Sequence, residues 1–214
     1  MSLPTSNNPY SFEEFLEKRR TFNYYLDDPF FQKVVRYFAG DQWEEIREEL
    51  VKISDKVSYR WRDFAETIAW PEKRPYMMHY DGHNNRIDRI VRPRETEIME
   101  DEIFSEGLFS EKTSPWLRLA KMYLIYQNGE ACVACPLTCT EGLVALLDKY
   151  ADTPETLHIL NHCKEGINGD FAIGAQCLSE IQGGSDVPAN VLEAVQEDHT
   201  WKLYGTKFFC SATH

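Results

Sequence analysis

The sequence contains no apolar run approaching the length of a membrane span, and its start lacks the basic-then-apolar build of a secretory leader, so no membrane partner is expected. Positive charge is also scarce. Twenty-three Lys and Arg stand against 35 Asp and Glu, a net charge of −12, which disfavours general attraction to nucleic acid or anionic lipid. The one cluster of arginines, Arg86, Arg89, Arg92 and Arg94, is interleaved with Asp81, Asp88, Glu95 and Glu97 and reads as a solvated face. Neither Gly-x-Gly-x-x-Gly nor Gly-x-x-x-x-Gly-Lys occurs, so nicotinamide and nucleoside-triphosphate chemistry have no support. No serine-hydrolase elbow occurs either, because Gly184-Ser185-Asp186 continues into Val187-Pro188 where a second glycine is needed. His79 and His83 flank Tyr80-Asp81-Gly82 and read as turn histidines rather than a helical metal pair. Internal repeats and low-complexity segments are lacking.

Six cysteines are present. Cys132, Cys135 and Cys139 recur at steps of three and four, which places them on one helix face with no fourth ligand nearby; they read as core cysteines, with no metal expected. Their apolar and helical settings point to reduced thiols in a cytoplasmic protein.

With 214 residues and 43% hydrophobic content, the chain can bury a core as one large or two smaller domains. Helical punctuation recurs over about the first 165 residues. Ser11 with Glu14 forms a capping box, Asp28-Pro29 opens a helix stopped by Gly40, and Trp43, Ile46, Leu50, Ile53, Val57, Trp61, Phe64 and Ile68 mark one long amphipathic helix ended by Pro71. From Pro71 to Pro93 the pattern fails and an irregular excursion is expected. Further helices follow Pro93 and Ser114-Pro115, the latter with Trp116, Leu119, Ala120, Tyr123 and Leu124 inward, then run from about Glu130 to Tyr150 and after Thr153-Pro154. Beyond Gly166 and Gly169 the sequence turns to period two, with three or four short strands over residues 171–214. The expected class is α+β, with a helical domain over 1–168 and the first strands of an antiparallel, barrel-like β-domain over 169–214.

Two blocks in that second part carry chemistry. Phe171 to Leu178 reads as a buried strand that opens into Ser179-Glu180-Ile181-Gln182-Gly183-Gly184-Ser185-Asp186, a polar, glycine-rich loop. Its glycines allow close approach of backbone to a ligand, and its N–H and hydroxyl donors suit an anionic pyrophosphate, although taken alone such a loop is an ordinary turn. After a spacer that reads as a hairpin come Trp201-Lys202-Leu203-Tyr204-Gly205-Thr206-Lys207 and Phe208-Phe209-Cys210-Ser211, a strand, a glycine turn and a second strand.

Together the two blocks resemble the acyl-CoA dehydrogenase superfamily, in which a strand ending in Thr-Glu and a loop ending in Gly-Ser-Asp precede a Trp-x-Leu-x-Gly-x-Lys turn and a strand ending in an aromatic residue and Thr or Ser. The resemblance covers residues 110–214 clearly and the helices from Asp41 loosely. The long N-terminal part, with Gln182 to Asp186 and Lys207 to Ser211, is similar to the branch that includes the alkylation-response flavoproteins. The resemblance implies an FAD-dependent oxidoreductase that dehydrogenates an acyl-CoA thioester by hydride transfer to flavin. Gln176, Cys177, Leu178, Ser179, Gly184, Ser185, Phe209, Cys210 and Ser211 would line the cofactor, with Ser185 also reaching the acyl-CoA. Ser179 and Phe209 depart from the family's Thr and Trp, and Gln176 from its aromatic residue. The family's catalytic glutamate falls beyond residue 214, so no catalytic residue is assigned and this chain alone is not expected to turn over acyl-CoA. Homo-oligomerisation is implied for the complete protein. A flavin-containing, DNA-associated protein with little dehydrogenase activity is the alternative function.

Overall fold

The structure is a computed structural model that describes residues 11–129 and 133–211. Cys132 and the first residues of the helix expected from Glu130 lie outside the described residues. The element order is α1 (Glu13–Thr21), α2 (Pro29–Ala39), α3 (Trp43–Asp55), α4 (Arg62–Ile68), β1 (Tyr76–Tyr80), β2 (Arg86–Val91), α5 (Arg94–Phe104), α6 (Pro115–Tyr126), α7 (Ala134–Tyr150), α8 (Pro154–Glu165), β3 (Glu193–Glu197) and β4 (Thr200–Tyr204). The class is α+β with two small antiparallel hairpins and, among the described residues, no closed barrel. Contacts divide the chain into two compact units, residues 1–74, 92–100 and 112–132, and residues 75–91, 101–111 and 133–214.

In the first unit, Asp28 caps α2 by accepting from Phe31 N at 2.8 Å, and Gly40 ends it at φ 54°. Ser11 accepts from Glu13 N at 3.4 Å, one residue earlier than a capping box requires. The long helix expected from Asp41 to Pro71 is instead α3 and α4 joined by a π-helical segment, Lys56–Trp61. The cause lies in the spacing of its core residues. Ile53, Val57, Trp61 and Ala65 are all buried and follow one another at steps of four, each of which drifts by about 40° round an α-helix. Wider π turns unwind that drift and keep all four on one face. They also displace the next core position, so Ala65 is buried and Phe64 is not. The π segment is tied to its surroundings at two points: Asn128 donates through Nδ2 to its Val57 O at 2.8 Å, and its Ser58 Oγ accepts from Tyr24 N at 2.8 Å.

α6 turns inward only part of the face its sequence suggested: of the five expected residues, Ala120 and Leu124 are buried. Ala120, Lys121, Met122, Leu124 and Ile125 are buried, whereas Trp116, Leu119 and Tyr123 are exposed. The apolar residues of α6 cover more than one face, so periodicity alone did not fix its rotation. Lys121 is admitted to the interior because Glu49 Oε2 lies 3.3 Å from its Nζ. The outward aromatics face α2 across an apolar groove of about 300 Å³ lined by Phe30, Val34, Phe38, Trp116, Leu119 and Tyr123 among others. Phe38 stacks on Trp116 there, with ring centroids 4.7 Å apart.

The Pro71 to Pro93 excursion holds an ordered hairpin rather than irregular chain. β1 and β2 pair with Tyr76 opposite Val91 and Tyr80 opposite Arg86, with an irregularity between Met78 and Tyr80. Asp81 closes the turn by accepting from His83 N, Asn85 N and Asn85 Nδ2 at 2.8 to 3.0 Å. His79 lies on β1, 2.7 Å from Asp88. The arginine cluster is not all solvated: Arg92 forms a two-pronged ion pair, 3.0 Å on each arm, with buried Glu100.

In the second unit, Thr153 and Thr156 form a reciprocal capping box that starts α8. Its Lys164 bonds Asp148 of α7 at 2.6 Å. Residues 171–214 contain two strands among the described residues, not three or four. β3 and β4 form a hairpin with Glu193 opposite Tyr204, turned by Asp198 and His199 at φ 45° and 69°. Two positive φ angles in a two-residue loop match the right-handed twist of the strands they join. The segment Phe171 to Leu178 is not the buried strand expected: it has no ladder partner among the described residues, and Gly174 alone in it is buried, where Gly174 N donates to Thr140 Oγ1 of α7 at 2.8 Å.

Candidate functional site

The site is built around a buried carboxylate. Glu180 is 2% exposed and accepts from Val191 N at 2.7 Å, Leu192 N at 3.1 Å and Lys207 Nζ at 2.8 Å. Hydrogen bonding to Lys207, then to the Val191 N–H, holds its carboxyl below the usual range of a glutamate. One side chain thereby ties together the glycine-rich loop, the approach to β3 and the residues that follow β4. Lys207 Nζ also reaches Leu178 O at 3.2 Å.

A second link runs alongside. Phe208 N donates to Ser179 O at 2.9 Å. These two links hold Ser179 and Glu180 beside Lys207 and Phe208 without a strand ladder between them, and the bridge partner of Glu180 is Gly183 within the loop. Phe209 has φ 59°, outside the extended region, so no second strand runs through to Ser211 among the described residues. The departure turns the Phe209 ring outward, and it is 82% exposed.

The loop itself is tight. A Cβ on Gly184 would stand 2.6 Å from Ser179 Oγ, and Gly183 has φ 117°, a conformation that side chains rarely adopt. Asn190 fastens the far side, donating to Leu178 O at 3.0 Å and accepting from Gln182 Nε2 at 2.9 Å. Among the described residues, the N–H groups of Gly184 and Ser185 have no acceptor, and both residues are exposed. Outward N–H groups next to glycine form a concavity suited to an anion.

The structure brings the nine expected residues into two adjoining strips. Gln176, Cys177, Leu178 and Ser179 lead into Gly184 and Ser185; Phe209, Cys210 and Ser211 flank them through the Phe208–Ser179 bond. All are exposed except Ser179 and Ser211, which are half-buried. Cys135, in the first turn of α7, approaches Ser211 with Sγ 3.7 Å from Oγ. Cys135 and Cys139 are half-buried rather than core residues; Cys163 is the described cysteine that is buried.

Sequence reasoning left four positioning residues out of the site: Glu180, Lys207, Thr140 and Gly174. Glu180 and Lys207 stood inside the quoted blocks, and the readable signal was a glutamate and a lysine bounding two linked segments. Thr140 and Gly174 carried no signal. A Cβ on Gly174 would meet Thr140 Cα at 2.8 Å and Cys139 O at 3.0 Å, so only glycine lets the extended segment rest on α7.

Comparison with solved structures places this architecture. Residues covering 87% of the chain superpose on Caenorhabditis elegans ACDH-11, solved in complex with C11-CoA, with a TM-score of 0.74 and 23% identity. The chain has an acyl-CoA dehydrogenase-like fold. A second structure, the apo form of Bd2924, matches over 91% of the chain with a TM-score of 0.73 and 22% identity. The chain spans 33% of the length of the first of these proteins and 41% of the second. No family model and no curated protein matches the sequence. No described helix is long and apolar enough to cross a membrane.

Proposed function

We propose that this chain is the N-terminal part of an FAD-dependent, acyl-CoA dehydrogenase-like oxidoreductase acting on an acyl-CoA thioester. Residues 1–168 supply its helical domain and residues 169–214 the beginning of its flavin-binding domain. The observation that carries the reading is the Glu180-centred clasp. On a fold shared with an acyl-CoA-bound protein, it joins the loop 176–185 to residues 207–211, the two segments that the sequence resemblance marks as flavin-lining.

The residues present fit the group. The outward N–H groups of Gly184 and Ser185 suit the pyrophosphate, with the Ser185 hydroxyl available to the cofactor or to the acyl-CoA. Cys177, Leu178, Ser179, Cys210 and Ser211 offer a mixed apolar and hydrogen-bonding wall, and the exposed Phe209 ring offers a flat apolar face that keeps water from the isoalloxazine. When bound, the flavin would supply hydride acceptance from the acyl chain. This chain's own residues bind and orient it, and the base that removes the α-proton comes from outside them. Free thiols at the five described cysteines suit a cytoplasmic setting, and a homo-oligomer is the assembly taken for the complete protein.

Titration of the purified protein with FAD, followed by quenching of flavin fluorescence, tests the reading. Saturable binding that Gly184→Val abolishes supports it, because a branched side chain would collide with Ser179 and cover the two N–H groups. Binding that is absent, or indifferent to that substitution, sinks it. Anaerobic addition of acyl-CoAs of graded length to the longest natural form then reads the substrate class from flavin bleaching.

A further inference from the structure

α2 and α6 run antiparallel along a groove that is apolar throughout. Phe31 stacks on Tyr123 with ring centroids 4.2 Å apart, and Phe38 on Trp116 at 4.7 Å. The two pairs are separated by seven residues on each helix, in opposite order, so they mark the ends of a trough about 10 Å long. Its floor is buried Phe31, Val35 and Ala120. On its walls Phe30, Phe38, Trp116, Leu119 and Tyr123 each leave more than two-fifths of their surface in water. All nine residues that line it are aliphatic or aromatic. Large apolar side chains gathered in this way around a concavity mark a binding surface, whereas singly scattered ones do not.

Shape and chemistry select the occupant. The groove's volume of about 300 Å³, spread over about 10 Å of length, gives a cross-section of about 30 Å². That width takes one extended chain and is too narrow for a helix, which is about 10 to 12 Å across with its side chains. An extended peptide is disfavoured for a different reason, because apolar walls leave its inward N–H and C=O groups without partners. An alkyl chain has no such groups. About ten methylenes, each near the ~30 Å³ share of a water molecule, fill the volume. Charge at the opening adds a preference. Phe30, Lys33 and Tyr37 follow one another at steps of three and four along the outer edge of α2. Lys33 is exposed and forms no ion pair among the described residues. A lysine in that position can lay its stem along the apolar wall and hold its ammonium at the opening.

We propose that the α2–α6 groove binds a single alkyl chain of about ten carbons that carries an anionic head, the chain lying between the two stacked pairs and the head beside Lys33. None of the lining residues belongs to the loop 176–185 or to residues 207–211. The site is therefore additional to the flavin-lining segments and stands whether or not flavin binds.

Calorimetric titration of the purified protein with carboxylates of six to fourteen carbons, below their micelle-forming concentrations, tests this. Affinity should rise about threefold per added methylene up to about ten carbons and then level, because the end of a longer chain stays in water. Decanoate and decyl sulfate should both bind more tightly than decanol, and the tighter of the two names the head group. Lys33→Gln should weaken both anions about fivefold and leave decanol unchanged. Leu119→Glu places a charge on the exposed part of the wall and should weaken every ligand at least about tenfold, with helix content by circular dichroism unchanged. Absence of binding, affinity that climbs without a break past ten carbons, indifference to Leu119→Glu, or decanoate binding that survives Lys33→Gln at full strength would each overturn the proposal. So would a chain that takes up no alkyl ligand but forms a dimer in sedimentation that Leu119→Glu dissociates, since a second copy would then cover the groove.

Discussion

Glu180 concentrates the logic of the site in one residue. A carboxylate with three donors can be buried because each donor is fixed elsewhere: two N–H groups at the entry to β3 and one lysine just after β4. Its lowered pKa sets the sign of the pH dependence. The unfolded glutamate titrates near 4.3, so the clasp contributes its full stability above about that pH and loses it as pH falls through the lower folded value. Hydrogen-exchange protection of the Val191 and Leu192 amides should therefore be level at neutral pH and drop in acid below about pH 4. In Glu180→Gln the amide N–H₂ would face donors. Protection at those two amides should be about tenfold lower at neutral pH, and the acid step should vanish. An acid step that persists in the glutamine variant would assign it to another group.

At the scale of elements, two positions show where side chains replace missing backbone partners. Asn128 satisfies Val57 O in the π-helical segment and accepts from Tyr24 Oη at 3.3 Å. Asn128→Ala leaves a buried carbonyl without its partner, at a cost of about 1 to 3 kcal/mol, which a lower urea midpoint at unchanged slope would register. Thr140 does the same for the extended segment on α7, and Gly174→Ala tests the fit from the other side. Its Cβ would meet backbone rather than a movable side chain, so the segment must lift from α7, at about 1 to 3 kcal/mol. The loss should appear as faster exchange at Gly174 and weaker FAD binding, with the Asp28 and Ser114 helix caps undisturbed. The helices were legible because their signals are local: Asp28-Pro29, Ser114-Pro115 and Thr153-Pro154 each cap what they promised. The β1–β2 hairpin was not, because exposed Tyr76, Tyr80, Arg86 and Arg89 give it no apolar face with period two. The π segment was half-legible, as steps of four in an apolar pattern that was read as ordinary helix. Phe171 to Leu178 and Phe208 to Ser211 have strand-like composition. Whether such chain becomes a ladder depends on partners distant in sequence, and here its hydrogen bonds go to Thr140 and Ser179.

For the whole molecule, charge and exposed apolar surface oppose each other. A net charge of −12 repels copies of the chain from one another. Against it, every residue of β4 is exposed, Trp201 and Leu203 both about seven-tenths, and each strand of the β3–β4 hairpin has one edge without a partner in the sheet. Unpaired edges beside uncovered apolar side chains favour pairing between chains. Salt then acts on one side of the balance only. Raising ionic strength from 0.01 M to 1 M shortens the screening length from about 30 Å to about 3 Å, removing the repulsion while leaving apolar association intact. Light scattering should therefore show a mass that grows with both salt and protein concentration. Trp201→Lys with Leu203→Lys, placed on opposite sides of the exposed strand from their alternate neighbours Lys202 and Tyr204, should return it toward the monomer by adding charge to the edge. If the doubly substituted chain associates as strongly as the original, the contact lies elsewhere, and the apolar groove between α2 and α6 becomes the surface to substitute next.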